Sequence, residues 1–242
     1  MPVRRSKGSS VKDGNAAQAA RQSRKAMLSH SPDVSVHSAV DIVPDPMQRI
    51  ETRLDGPILI EPKLLGDERG FFCETYRRST FMDLGIQEEM VQDNHSRSSH
   101  GIVRGMHFQI DRGAAKLVRC GRGAIFDAIV DVRRGSPTFG QWEGFELTDD
   151  NGRMLYVPVG FAHGFCVLSE LADVFYKQDR YYADATERGI KYDDPAVGIE
   201  WPLAVEELKP SQRDATAPTL AEIEPELPFV YRCCAAVPAR VM

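Results

Sequence analysis

From Ile58 onward, apolar residues recur in short runs of 5 to 10 positions, rich in Val, Ile, Phe and Tyr and often alternating with polar ones. A period of two puts successive side chains on opposite faces of a strand, and Gly, Pro, Asn and Asp break the runs where a chain turns. The pattern predicts nine strands: ILIEPKLL (58–65), GFFCETY (70–76), IVRGMHFQ (102–109), KLVRC (116–120), AIFDAIVDV (124–132), GQWEGFEL (140–147), MLYVPVGF (154–161), GFCVLS (164–169) and DVFYKQDRYY (173–182). No amphipathic helical stretch separates them, so the fold is expected to be all-β, an antiparallel sandwich or barrel rather than a parallel α/β sheet. Two clusters, Gly121-Arg122-Gly123 and Asp149-Asp150-Asn151-Gly152, offer the positive-φ residues that hairpins use. No internal repeat is visible.

The first 46 residues break this pattern. They hold seven Lys/Arg against four Asp and contain no Phe, Trp or Tyr, leaving the other 196 residues with net charge −8 and all 20 aromatics. A segment of that composition cannot bury enough apolar surface to offset its ordering entropy, so 1–46 is expected to be a disordered basic extension. Transit peptide, nucleic-acid arm, ornamental extension and a natural start at Met47 all fit it. The expected domain covers 47–222, and 223–242 form a tail of uncertain structure that includes Cys233-Cys234.

Composition narrows the function classes. The chain of 242 residues is long enough for a sizeable core, with 42% hydrophobic and 27% charged residues. No apolar run reaches the ~18 residues of a membrane span. A net charge of −5 supplies no field for nucleic acid or anionic lipid, so an anionic ligand must be held locally. Five cysteines, odd in number and without a CxxC, support neither a zinc cage nor a disulfide framework. A reducing cytoplasm is the expected location.

Two histidines carry candidate chemistry. His107 lies in Arg104-Gly105-Met106-His107-Phe108-Gln109, where period two places Val103, Gly105, His107 and Gln109 on one face. Read alone, an interior strand histidine is more often a hydrogen-bonded core residue than a catalyst. His163, in Pro158-Val159-Gly160-Phe161-Ala162-His163, has the PxGxxH spacing of the second cupin motif. A metal-binding cupin also needs an HxH pair followed by Glu on an earlier strand, whereas His107 is followed by Phe108 and Gln109. No metal is therefore expected, and His107 is free to act as a base.

Eight ordered blocks resemble one family. Gly66-Asp67-Glu68-Arg69-Gly70-Phe71-Phe72, VQDNHSRS (91–98), VRGMHFQ, KLVR, FDAIVDVRRGSPTFGQW (126–142), VPVGFAHGF, FYK (175–177) and DDPAVGIEWP (193–202) resemble dTDP-4-dehydrorhamnose 3,5-epimerases, over about residues 57 to 220. The resemblance implies a homodimeric cupin-type jelly-roll barrel with a few short helices. It also implies a cofactor-independent isomerase that inverts C3 and C5 of dTDP-4-dehydro-6-deoxy-D-glucose to give dTDP-4-dehydro-L-rhamnose. An enzyme inverting only one centre, or using another nucleotide-4-ketosugar, shares the same base and lysine. A silent nucleotide-sugar-binding cupin would have no need of them.

The resemblance also assigns roles. A ketone at C4 acidifies the flanking C–H bonds, so epimerisation needs a base, a stabiliser for the enolate and an acid on the opposite face. By resemblance His107 is the base, Asp214 its carboxylate partner, Lys116 the enolate stabiliser and Tyr176 the acid. Read by themselves, the last three suit a capping or solvated residue, a surface lysine and core packing. Arg69, Glu74, Gln92, Asn94, Arg104, His163 and Glu187 match substrate-binding positions, with Arg69 and Glu74 implied to reach the neighbouring subunit's site. Phe108 and Phe175 stand where the family often has Tyr and Leu, changes that remove no reactive group.

Overall fold

Most of the apolar runs become strands because their alternate residues find a second sheet to pack against, whereas Gly70–Phe72 pairs only with Leu65–Asp67 in an exposed two-stranded hairpin. The computed structural model describes residues 47–232, so the expectations for 1–46 and for Cys233-Cys234 lie outside the described residues. In chain order the strands are β1 (Gln48–Ile50), β2 (Ile58–Glu61), β3 (Leu65–Asp67), β4 (Gly70–Phe72), β5 (Gln92–Ser99), β6 (Ile102–Gln109) and β7 (Lys116–Arg122). They continue with β8 (Ala124–Asp131), β9 (Trp142–Thr148), β10 (Met154–Val157), β11 (Phe161–Val167), β12 (Leu171–Gln178), β13 (Glu187–Gly189) and β14 (Lys209–Pro210). Short helices are α1 (Arg78–Asp83), α2 (Gln212–Ala215) and α3 (Leu220–Ile223).

Two sheets form a jelly-roll sandwich, one ordered β1-β2-β10-β7-β12-β5 and the other β13-β6-β11-β8-β9. Val118 and Cys120 of β7, Ile125 and Ile129 of β8, Phe161 and Phe165 of β11 and Val174 of β12 meet in the core between them. The intervening residues of the second sheet (Phe108, Ala128, Val130, Ala162) pack outward under Leu220, Ile223, Leu227 and Phe229. The segment beyond Ile223 thus contributes buried side chains up to Phe229.

Several strand expectations change. The run 58–65 stops at Glu61, before Pro62, and 70–76 is strand only to Phe72. MLYVPVGF divides at Pro158-Val159-Gly160, where the chain leaves β10 in one sheet for β11 in the other. Both glycine-rich clusters do hold positive φ (Gly123 at 78°, Gly152 at 59°), but neither closes a hairpin. They are arches between the sheets, tied together by the Gly123 amide donating to Asp149 Oδ2 at 2.9 Å. A side chain at Gly123 would put its Cβ 2.2 Å from the Leu171 carbonyl oxygen, so the crossing requires glycine.

Strand β5, QDNHSRSS, carries no apolar alternation and is not predicted by it. It pairs antiparallel with β12 along its whole length, from Gln92↔Gln178 to Ser99↔Leu171. Being the edge of its sheet, it exposes one polar face to solvent and turns Gln92, Asn94, Ser96 and Ser98 inward, with no apolar face to conceal.

Candidate active site

The inward rows of the two sheets give up their apolar residues at one end of the sandwich and enclose a cavity of about 470 Å³, a size suited to a small-molecule ligand. Parity puts Lys116 in the row of Val118, Tyr176 in that of Val174, and His163 between Phe161 and Phe165.

His107 reaches the cavity by a different route from the one period two suggests. Pairing runs His163↔His107 and then Phe165↔Arg104, so one residue of β11 lies opposite two of β6 between these pairs. This β-bulge reverses the parity of β6. Arg104 and His107 consequently both reach the cavity, and Val103, expected to share the face of His107, also borders it but packs its side chain with Cys166 and Tyr192. Gly105, inside the bulge, has φ +132°, and a Cβ there would stand 2.4 Å from Gly164 Cα.

Asp214 arrives from far along the chain. Strand β14 lies parallel to β6 through Lys209↔Ile102 and Pro210↔Val103, and Ser211 Oγ then caps α2 by accepting from the Asp214 amide. The Asp214 carboxylate, buried, meets His107 Nε2 at 2.7 Å. Burial alone would raise its pKa, but the hydrogen bond and charge of His107, with Ser211 and the Gly105 amide, hold it below the usual carboxylate range. An ionised carboxylate accepts the Nε2 hydrogen and fixes the orientation of the imidazole, leaving the other ring nitrogen to take a proton.

Lys116 donates from Nζ to the His107 carbonyl at 3.2 Å. Desolvation lowers its pKa to about 8 against the pull of Glu187 and Asp127. Such a desolvated ammonium is far more effective toward a developing oxyanion than one in water. Burial, then the negative charge of Glu187, raises the Tyr176 phenol above its ordinary value, opposed by Arg104. It is therefore a protonated group, able to donate. His163 is buried with Nε2 3.0 Å from both Asp127 oxygens, and burial outweighs Asp127 in pushing its pKa down.

The fold thus collects His107, Lys116, Tyr176, Asp214, Arg104, His163 and Glu187 around one cavity. Gln92 and Asn94 stand at its edge: Gln92 Nε2 donates to Asn94 Oδ1 at 3.0 Å, and Asn94 Nδ2 to Gln178 Oε1 at 3.3 Å. Arg69 and Glu74 lie elsewhere within this chain. Arg69 is on the exposed β3–β4 hairpin, paired with Asp67, and Glu74 pairs with Arg77 at 2.9 Å.

Other residues that support or line the site lie outside the sequence expectations. Asp127 is a fully buried acid inside an apolar strand, a sign readable in AIFDAIVDV because a charge in such a place needs a partner. Gln178, Tyr182 and Arg213 give no such sign. The Tyr182 hydroxyl donates to Glu187 at 2.9 Å, which raises its pKa to about 12, and Arg213 Nη1 lies 2.6 Å from the same carboxylate. Among the described residues no group of three or more His, Cys, Asp or Glu is placed to hold a metal ion.

A base braced by a carboxylate, a desolvated ammonium and a phenol around one cavity can remove a proton beside a carbonyl and return one elsewhere. Comparison with known proteins gives this chemistry a context. The profile of one family, dTDP-4-dehydrorhamnose 3,5-epimerase, matches residues 51–222. The chain is 49% identical over 174 residues to dTDP-4-dehydrorhamnose 3,5-epimerase of Salmonella typhimurium, covering 71% of this chain and 94% of that protein. It is 40% identical over 186 residues to dTDP-4-dehydrorhamnose 3-epimerase of Streptomyces niveus, covering 76% and 89%. Among solved structures, dTDP-6-deoxy-D-glucose-3,5-epimerase from Legionella pneumophila, in complex with dTDP-4-keto-L-rhamnose, superposes with a TM-score of 0.74 at 46% identity, over 77% of this chain and 99% of that one.

Proposed function

The chain belongs to the dTDP-4-dehydrorhamnose 3,5-epimerase family, and from that membership we propose that it inverts C3 and C5 of dTDP-4-dehydro-6-deoxy-D-glucose to give dTDP-4-dehydro-L-rhamnose. It is an isomerase of dTDP-sugars. His107, braced by Asp214, takes the proton from the carbon beside the C4 ketone. Lys116 stabilises the enolate oxygen, and Tyr176 delivers a proton on the opposite face. The observation that carries this reading is the 2.7 Å His107–Asp214 contact in the cavity wall shared with Lys116 and Tyr176.

The second reading, inversion at C3 alone, is favoured by the similarity to the Streptomyces niveus 3-epimerase, and the higher identity to the Salmonella enzyme places it second. Incubation with dTDP-4-dehydro-6-deoxy-D-glucose, followed by proton NMR of the sugar, decides between them. Inversion at both carbons is expected. Inversion at C3 alone would replace the first reading with the second, and an unchanged sugar would overturn both.

The enzyme acts as a homodimer. Leu65, Phe71 and Phe72 on the β3–β4 hairpin are 43%, 60% and 69% exposed, an apolar surface that a second copy would cover. Arg69 on the same hairpin and nearby Glu74 would then serve the partner's cavity. A cytoplasmic location suits the free thiols of Cys73, Cys120 and Cys166. No helix among the described residues is long and apolar enough to cross a membrane.

A further inference from the structure

Buried polar side chains almost always find partners, so the exceptions indicate where a partner is to come from. Among the described residues two buried side-chain atoms have none, Ser96 Oγ and Gln109 Nε2, and both residues line the same cavity. They come from different sheets, Ser96 from β5 and Gln109 from β6. Gln109 is only 5% exposed, and elsewhere around the cavity neighbouring polar groups satisfy one another: Asp214 with His107, Asp127 with His163, Glu187 with Arg213 and Tyr182. An amide that remains unpaired in such a wall is poised for a ligand.

Its place on the strand indicates which part of the ligand. Gln109 follows His107 by two residues on the same inward row, about 6.6–6.8 Å along β6. If His107 faces a ring carbon, Gln109 faces an oxygen substituent elsewhere on that ring, not the nucleotide. The backbone of Gln109 pairs with Glu187 of β13, so its side chain is anchored at a sheet position and not on a mobile loop. We propose that Gln109 is a sugar-binding residue of this site, donating from its carboxamide to an oxygen of the 4-ketosugar, with the Ser96 hydroxyl a second donor from the opposite sheet. This rests on the epimerase reading of the cavity.

The test is Gln109→Met, which keeps the side-chain length and removes the amide. The melting temperature of the free protein should stay level or rise, since an unpaired buried donor is lost. The kcat/KM for dTDP-4-dehydro-6-deoxy-D-glucose should fall about tenfold, the effect of one neutral hydrogen bond. Affinity for dTDP alone, measured by calorimetry, should stay unchanged. Should the Met variant fail to fold, Gln109→Asn draws the amide back by one methylene while keeping it polar, and the same split between sugar-nucleotide and nucleotide is expected. Unchanged kcat/KM, or an equal loss of dTDP affinity, would overturn the proposal. Absence of turnover by the wild-type protein would instead overturn the epimerase reading on which it rests.

Discussion

Lys116 shows most directly how burial sets chemistry at a single residue. The proposed mechanism needs its ammonium charged when an enolate forms, yet desolvation brings its pKa to about 8. The charged fraction falls as pH rises through that value, so kcat/KM should decline above about pH 8. A pH profile flat to about pH 10 would count against Lys116 as the enolate's counter-charge. His107 and Asp214 form the second residue-scale unit, joined at 2.7 Å. His107→Ala should lower kcat by about 10²- to 10⁴-fold, the usual contribution of a general base, and Asp214→Asn by no more. Because the aspartate acts through the imidazole, the double variant should be little worse than His107→Ala alone. Losses that multiply would dissolve the pair.

At the scale of elements, the bulge in β6 decides which side chains enter the cavity. Gly105→Ala would force a Cβ to 2.4 Å from Gly164 Cα and place a non-glycine residue at φ +132°, separating β6 from β11. The expected result is a loss of a few kcal/mol in denaturant unfolding and a fall in kcat, since His107 rides on the displaced strand. Unaltered stability and turnover would mean that the bulge does not place the base. This device was hidden in the sequence, because a bulge is fixed by pairing with a strand some 60 residues away and period two cannot report it. The apolar strands β6, β7, β8, β11 and β12 were legible, since each buries one row against the opposite sheet. Polar β5 was not, because its inward row faces a cavity instead of a core. His107 was visible as an interior strand histidine, a kind of residue more often held in a core than used as a base, and its role as base came from the family resemblance. Asp214, 107 residues further on, was recognisable only through family resemblance, since nothing in Ser211-Gln212-Arg213-Asp214 tells that β14 will dock beside β6.

At the scale of the molecule, two properties follow from how the sites are supplied. The exposed Phe71 and Phe72 and the distance of Arg69 from its own chain's cavity lead to the expectation of a dimer in sedimentation equilibrium, with Arg69→Ala lowering kcat/KM. A fully active monomer near 27.0 kDa would contradict this. Metal removal should be without effect, because His107 and His163 are each committed to a carboxylate, Asp214 and Asp127. Activity abolished by EDTA and restored by a divalent ion would refute that. The central claim is that base and acid act on opposite faces of one enolate, and turnover in heavy water with wild type and Tyr176→Phe side by side tests it most directly. Wild type should place deuterium at both C3 and C5 of inverted product, while the Phe variant, keeping His107 and Lys116, should exchange deuterium with retained configuration. Wild type that incorporates deuterium at neither carbon, or a Phe variant that inverts C5 at near wild-type rate, would contradict it.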